Sequence, residues 1–242
     1  MLLAMALLFR FSFVTDLFYS AMVRDPPRQA PPGKVMVAPA DGTVLYVKPV
    51  EAGVIPEMVK RGVAVPIADH LKTDPADPPF SGFLIGIYMA SHGVHINRAP
   101  IASRTVQISV HNGPHMNMTG AEARIILTQL IPGWITLKKL LGLPPFAIEA
   151  NADYILKSAR ETIRFVDVRH RRVFVVRIAD YFVGRILTWI QEGEQVVTGQ
   201  KLGMISWGSQ TDLLIESSPG LRIEAEVGDY VYGGETVLAT YE

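Results

Sequence analysis

The sequence predicts an α+β, β-rich chain: a sandwich or barrel built from hairpin repeats, with an apolar N-terminal helix and a helical insertion. Short apolar runs bounded by turn residues recur through most of the chain. A repeat of period 35 occupies the C-terminal part, where Gly193, Val196, Gly199 and Leu202 recur as Gly228, Val231, Gly234 and Val237. Two stretches, 1–23 and 120–148, are apolar with helical rather than alternating spacing.

Composition narrows the function classes. At 242 residues the chain can bury a substantial core within one large domain. Lys plus Arg (23) equals Asp plus Glu (23), so no bulk charge draws in nucleic acid. A hydrophobic fraction of 49% and a mean hydropathy of +0.23 point to membrane contact. With no cysteine, disulfides, thiolate metal sites and cysteine nucleophiles are excluded.

The elements follow in chain order. Residues 1–23 form an apolar, membrane-associating segment. Arg10 and Asp16 fall inside the roughly 20 apolar residues that a spanning helix needs. An interfacial or short anchoring helix therefore fits better than a spanning one, and a buried core helix is the alternative. Residues 24–34 are a proline-rich linker, from Asp25-Pro26-Pro27 to Pro31-Pro32-Gly33. The remaining domain covers 35–242. Strands are expected at Val35 and Val37, then after a turn at Asp41-Gly42 along Val44 to Val47, closed by Lys48-Pro49. Further strands are expected at Phe83 to Met89, Val106 to Val110, Thr162 to Val168 and Val173 to Ala179.

Between them, Gly120 to Ile148 reads as two short helices split by Pro132-Gly133. Its apolar side chains, Trp134 and the pair Lys138-Lys139 suit a membrane interface, and equally a cap on the sheet. Each unit of the 35-residue repeat reads as strand, glycine turn, valine, glycine turn, strand. A Gly208-Ser209 turn is expected between the units, held by sheet at both ends.

That Gly-Ser pair is the first candidate for chemistry. A serine hydroxyl needs a base to become a nucleophile, and Gly208 leaves its own carbonyl open to close approach. His92 and His95 follow a strand candidate, and one of them fits the base. The same His-x-x-His pair also fits a metal, although no acidic third ligand stands near it. His111 and His115 flank Asn112-Gly113-Pro114 and read as a turn; all four histidines together are the best zinc hypothesis. Asp41 sits in a Pro-Ala-Asp-Gly segment. It reads either as a hairpin turn residue or as the acid that orients a histidine in a Ser-His-Asp arrangement.

Taken in order, these pieces resemble the phosphatidylserine decarboxylase family, in its short, pyruvoyl-dependent form. The matching segments are Arg24-Asp25-Pro26-Pro27-Arg28, Ala38-Pro39-Ala40-Asp41-Gly42, His95-Ile96-Asn97-Arg98-Ala99-Pro100, Ile178-Ala179, Arg185-Ile186, Glu192-Gly193, Gly203-Met204-Ile205 and Gly208-Ser209. Trp207 and Gln210 beside the Gly-Ser pair, and Asp180 after Ile178-Ala179, depart from the family's usual residues.

The resemblance implies a proenzyme that cleaves itself between Gly208 and Ser209, giving a large subunit 1–208 and a small subunit 209–242. Asp41, His95 and Ser209 match the maturation triad, and His92 matches a histidine that long-form members place before it. Ser209 would become a pyruvoyl group, with no pyridoxal phosphate and no metal. Phosphatidylserine would be converted to phosphatidylethanolamine and carbon dioxide. The implied partners are a phospholipid membrane and the two subunits for each other, with a homodimer left open and no nucleic acid. The implied location is the cytoplasmic face of a bacterial plasma membrane.

Other readings remain at this level. The repeat also resembles lipoyl or biotinyl carrier hairpins, but neither unit carries a lysine at its tip. A zinc hydrolase, a decarboxylase of another serine phospholipid and an inactive relative are the remaining alternatives.

Overall fold

In the computed structural model, the described residues are 19–59, 63–73, 78–90, 93–114, 134–143, 156–179, 185–205 and 209–242. Among them strands dominate and helices are few. The central element is an eight-stranded antiparallel sheet. It contains β2 (Gly42–Val50), β5 (Gly82–Met89), β7 (Ser103–His111), β8 (Arg160–Val166), β9 (Arg172–Ala179), β11 (Gln195–Val196), β13 (Ser209–Glu216) and β15 (Tyr230–Val231). Their spatial order is β11-β7-β8-β9-β13-β5-β2-β15.

β13 lies in the middle of this sheet. It pairs with β5 from Ser209↔Met89 to Glu216↔Gly82, and with β9 from Ser209↔Ala179 to Ile215↔Val173. Successive side chains on a strand point to opposite faces. Leu213 and Ile215 join one apolar cluster with Ile85, Ile87, Met89 and Phe165. Leu214 joins a second with Leu45, Leu84, Tyr88 and Phe174. The sheet is thus covered on both sides, which explains its long apolar runs.

Two three-stranded sheets complete the architecture. One runs β10 (Ile186–Thr188), β12 (Lys201–Ile205), β6 (Ile96–Arg98). The other runs β1 (Val35–Val37), β16 (Val237–Thr240), β14 (Arg222–Ile223). The repeat read from the sequence is visible here. Gln195–Val196 and Tyr230–Val231 each cap one edge of the large sheet. Gly193 and Gly199 take φ values of 87° and 80°; their counterparts Gly228 and Gly234 take 100° and 82°. Such left-handed turns are why glycine recurs at these places.

Several expectations need correction. β2 does not close at Lys48-Pro49 but continues through both to Val50, with Pro49 opposite Phe83. β15 covers β2 only at Gly42 and Thr43, so Pro49 lies where that side of the strand has no partner in the large sheet and its missing N–H breaks no ladder. Ser209 is not in a turn: it opens β13 and is fully buried. A hairpin of β3 (Val54–Val59) and β4 (Val63–Pro66), and a short helix Ile67–Leu71, went unrecognised in the sequence. Residues 1–18 of the expected N-terminal helix lie outside the described residues; 19–22 are helical. Of the helical insertion, helix Trp134–Leu140 is described. Among the described residues no helix is long and apolar enough to cross a membrane.

Candidate active site

Asp41, His95 and Ser209 come together at one end of the large sheet because three strand termini meet there. Asp41 immediately precedes β2. Gly42 crosses Tyr88 of β5 so closely that a Cβ would stand 2.1 Å from the Tyr88 carbonyl oxygen, so only glycine lets Asp41 approach this end. Ser209 opens β13 opposite Met89, the last residue of β5. His95 precedes β6, whose Ile96 pairs with Met204 of β12.

The His95 ring spans the gap between these termini. Its Nδ1 lies 2.9 Å from the Ile205 carbonyl oxygen at the end of β12. Its Nε2 lies 2.9 Å from the Ala90 carbonyl oxygen, next to the strand partner of Ser209. A neutral imidazole donates to one of these acceptors and an imidazolium to both. The ring is fully buried, and the Ile205 N–H donates back to the His95 carbonyl at 3.2 Å. His95 therefore ties the residue where the connection to Ser209 begins to the residue after the strand partner of Ser209.

The hydrogen bonds of the other two residues run elsewhere. Asp41, 5% exposed, accepts from the Gly233 N–H at 2.7 Å and from the Arg28 guanidinium at 2.7 Å. Burial raises its carboxyl above the ordinary carboxylate value, while the Gly233 N–H and the charge of Arg28 act in the opposite sense. Ser209 Oγ lies 3.4 Å from Met89 Sδ, a weak acceptor. Thr211, two residues on and on the same face, also reaches Met89 Sδ at 3.2 Å and accepts from Asn97 Nδ2 at 3.0 Å. Asn97 Oδ1 is buried without a partner.

A cleft of about 520 Å³ adjoins Asp41. It is lined by Arg24, Asp25, Arg28, Val94, Tyr230 and Tyr232, among others. His92, Gly208 and His115 lie outside the described residues, and His111 ends β7 opposite Arg160.

The sequence reading missed two features. One is Arg28, whose segment Arg24-Asp25-Pro26-Pro27-Arg28 carries no local sign of its partner Asp41. The other is a polar cluster on the opposite face of β13. Tyr46 donates to Asp212 Oδ2 at 2.6 Å, Gln210 Nε2 donates to Asp212 Oδ1 at 2.7 Å, and His70 Nε2 lies 2.8 Å from Asp212 Oδ2. Arg160 donates to the His70 carbonyl at 2.9 Å. Burial lowers the His70 ring below its ordinary value, against the pull of Asp212. Gln210 and Asp212, polar residues at alternate positions that continue the face of buried Leu214, were the available signal.

The family model described as phosphatidylserine decarboxylase matches residues 15–239. A protein of Methanocaldococcus jannaschii named archaetidylserine decarboxylase proenzyme is 31% identical over 92% of this chain and 89% of its own length. The phosphatidylserine decarboxylase proenzyme of Chlorobium limicola is 26% identical over 96% of this chain and 82% of its own length. That of Gluconobacter oxydans is 28% identical over 89% and 73%. The protein is thus a decarboxylase, a carboxy-lyase by class. It belongs to the phosphatidylserine decarboxylase family.

Proposed function

We propose that the chain cleaves itself between Gly208 and Ser209, converts Ser209 to a pyruvoyl group, and decarboxylates phosphatidylserine at a membrane surface. The observation that carries this is the position of His95. Its ring ties Ile205, where the connection to Ser209 begins, to Ala90, the residue after the Met89 that pairs with buried Ser209.

Ser209 Oγ bonds to the Gly208 carbonyl carbon as the Gly208–Ser209 C–N bond breaks, giving an ester. His95 takes the hydroxyl proton and Asp41 offsets the resulting imidazolium charge. Elimination then breaks the Ser209 Cβ–Oγ bond and frees the Gly208 carboxylate. Water adds to the new N-terminal residue and ammonia leaves, which produces the ketone.

The surroundings of Ser209 fit such a group. Among the described residues the hydroxyl is held by nothing stronger than a thioether, and Asn97 Oδ1, beside the amide nitrogen that donates to Thr211, has no partner. A ketone there supplies an electron sink for the pair left when carbon dioxide departs from a bound primary amine, with no pyridoxal phosphate or metal. His92 is assigned to turnover, where it places the substrate carboxylate or returns a proton to the carbanion.

Membrane contact is supported by helix Trp134–Leu140 and the residues after it, where Leu137, Leu140, Leu141 and Leu143 are 46%, 82%, 62% and 52% exposed. Ile135 docks this helix on Gly228, two residues from Tyr230 in the cleft beside Asp41. An apolar, tryptophan-bearing surface next to that cleft suits the bilayer interface.

The test is decarboxylation of phosphatidylserine in vesicles with borohydride added during turnover. Carbon dioxide release with a borohydride-trapped substrate adduct on residues 209–242 is expected, and phenylhydrazine should inhibit. Activity that survives phenylhydrazine and fails with a chelator would reverse the reading. Parallel vesicles of archaetidylserine distinguish the two headgroup-bearing backbones named among the relatives.

A further inference from the structure

We infer that Arg28 is a positioning residue for self-cleavage: the 24–28 segment is a strap that orients Asp41 and keeps it ionised, rather than a linker. This rests on the self-cleavage proposed above. Three ties hold the strap across the end of the sheet where Asp41, His95 and Ser209 meet. The His95 N–H donates to the Met22 carbonyl at 3.0 Å, just before the strap begins. Asp25 binds Arg98 of β6 at 2.9 Å and also Lys201 of β12. Arg28 donates to Asp41 Oδ2 at 2.7 Å and to Glu235 Oε2 at 2.6 Å, and its guanidinium lies 5.1 Å from the centre of the Tyr232 ring. The strap thus touches the side chain of the candidate acid, and Met22, just before it, touches the backbone of the candidate base.

The chemistry gives the contact a direction. Asp41 is nearly buried, and burial alone favours its uncharged form. A neutral carboxyl cannot offset the charge of an imidazolium. The charged and titratable groups facing Asp41 are Arg28 from the strap, Arg98 from β6, Glu235 from the loop before β16, and Tyr230 from β15. Arg28 and Arg98 favour the carboxylate and Glu235 opposes it; Arg28 makes the direct ion pair. The pair leaves room for function. Arg28 occupies one site on Oδ2 and the Gly233 N–H one on Oδ1, and each carboxylate oxygen accepts twice. Proline at 26 and 27 stiffens the segment that delivers Arg28. Loss of Arg28 removes one of the influences that oppose burial, so Asp41 ionises at still higher pH and the cleavage profile moves upward with it.

The experiment is cell-free synthesis of labelled full-length chain, chased in buffers of increasing pH, with cleavage followed on gels. At pH values below both midpoints Arg28→Ala should cleave up to about tenfold more slowly, the loss of ionised fraction that one pKa unit represents there. Its pH midpoint should lie above that of the wild type, and alkaline buffer should restore the rate. Arg28→Lys should recover most of the rate, and Glu235→Gln, which removes a negative charge that opposes the Asp41 carboxylate, should not raise the midpoint. Arg28→Ala that cleaves as fast as the wild type, or more slowly with an unmoved midpoint, overturns the inference. Should Arg28→Ala fail to fold, Arg28→Gln against Arg28→Lys carries the same comparison, and equal profiles for those two overturn it. Asp41→Asn should be slow at every pH. A wild-type chain that stays whole, or Asp41→Asn that cleaves normally, overturns the proposed self-cleavage itself, and this inference with it.

Discussion

The two faces of β13 are built on opposite plans. On one face Ser209 is fully buried, yet among the described residues its hydroxyl meets only the Met89 sulfur at 3.4 Å, and Asn97 Oδ1 has no partner. On the other, Gln210 and Asp212 are tied into Tyr46 and His70 by contacts of 2.6–2.8 Å, with Arg160 behind them. A buried polar group without a strong partner is costly, and one with several is an anchor. The contrast teaches that one strand separates holding from reacting. Alternating side chains give the anchor to 210 and 212 and leave 209 outside it, an arrangement that under the proposed cleavage would keep the new end of the small chain in register.

Substitutions can break either face separately. The largest effect belongs to Ser209→Ala, which should abolish cleavage while leaving the thermal midpoint within a few degrees of the wild type; gel analysis and calorimetry on one sample check both. Asp212→Ala strikes the anchor. It strands Tyr46, Gln210 and His70 beside the Arg160 charge and should cost about 3–5 kcal/mol in denaturant unfolding of the uncleaved Ser209→Ala background.

A pH series sharpens the same face. The His70 ring is depressed by burial in the folded state and is ordinary, near 6.5, in the unfolded chain. Between those two values the unfolded chain holds the extra proton, so stability falls as pH drops below about 6.5 and levels once the folded ring protonates. The slope is at most about 1.4 kcal/mol per pH unit. His70→Gln should flatten it; an unchanged slope would show that other groups set the acid sensitivity. Tyr46→Phe is the mildest probe. It removes one buried bond to Asp212, should cost about 1 kcal/mol, and should leave cleavage intact.

Much of the reactive face was legible in the sequence and little of the anchoring face was. Asp41, His95 and Ser209 stand in segments with local signatures: a Pro-Ala-Asp-Gly turn, a histidine after an apolar run, a Gly-Ser pair between repeat units. The repeat itself showed because left-handed turns demand glycine at fixed spacing, as at Gly199 and Gly234. The anchor has no such spacing. Tyr46, His70, Arg160 and Asp212 meet only because β2, β8 and β13 and the short helix Ile67–Leu71 converge, and period alone does not reveal convergence. Arg28 was read as part of a linker for the same reason, since its partners Asp41 and Glu235 are 13 and 207 residues away. Ser209 was placed in a turn because Gly-Ser favours one locally; pairing with β5 and β9 on both sides overrides that preference.

The central claim is that the bond before Ser209 is cut and its residue becomes a ketone. The most direct measurement is the intact mass of the denatured wild-type protein, followed by N-terminal sequencing of what appears. Two chains of about 23 and about 4 kDa are expected, from 26.6 kDa divided by chain length at position 208, with the smaller one blocked to sequencing. A single species at full mass, or a small chain that begins with a sequenceable serine, would contradict it.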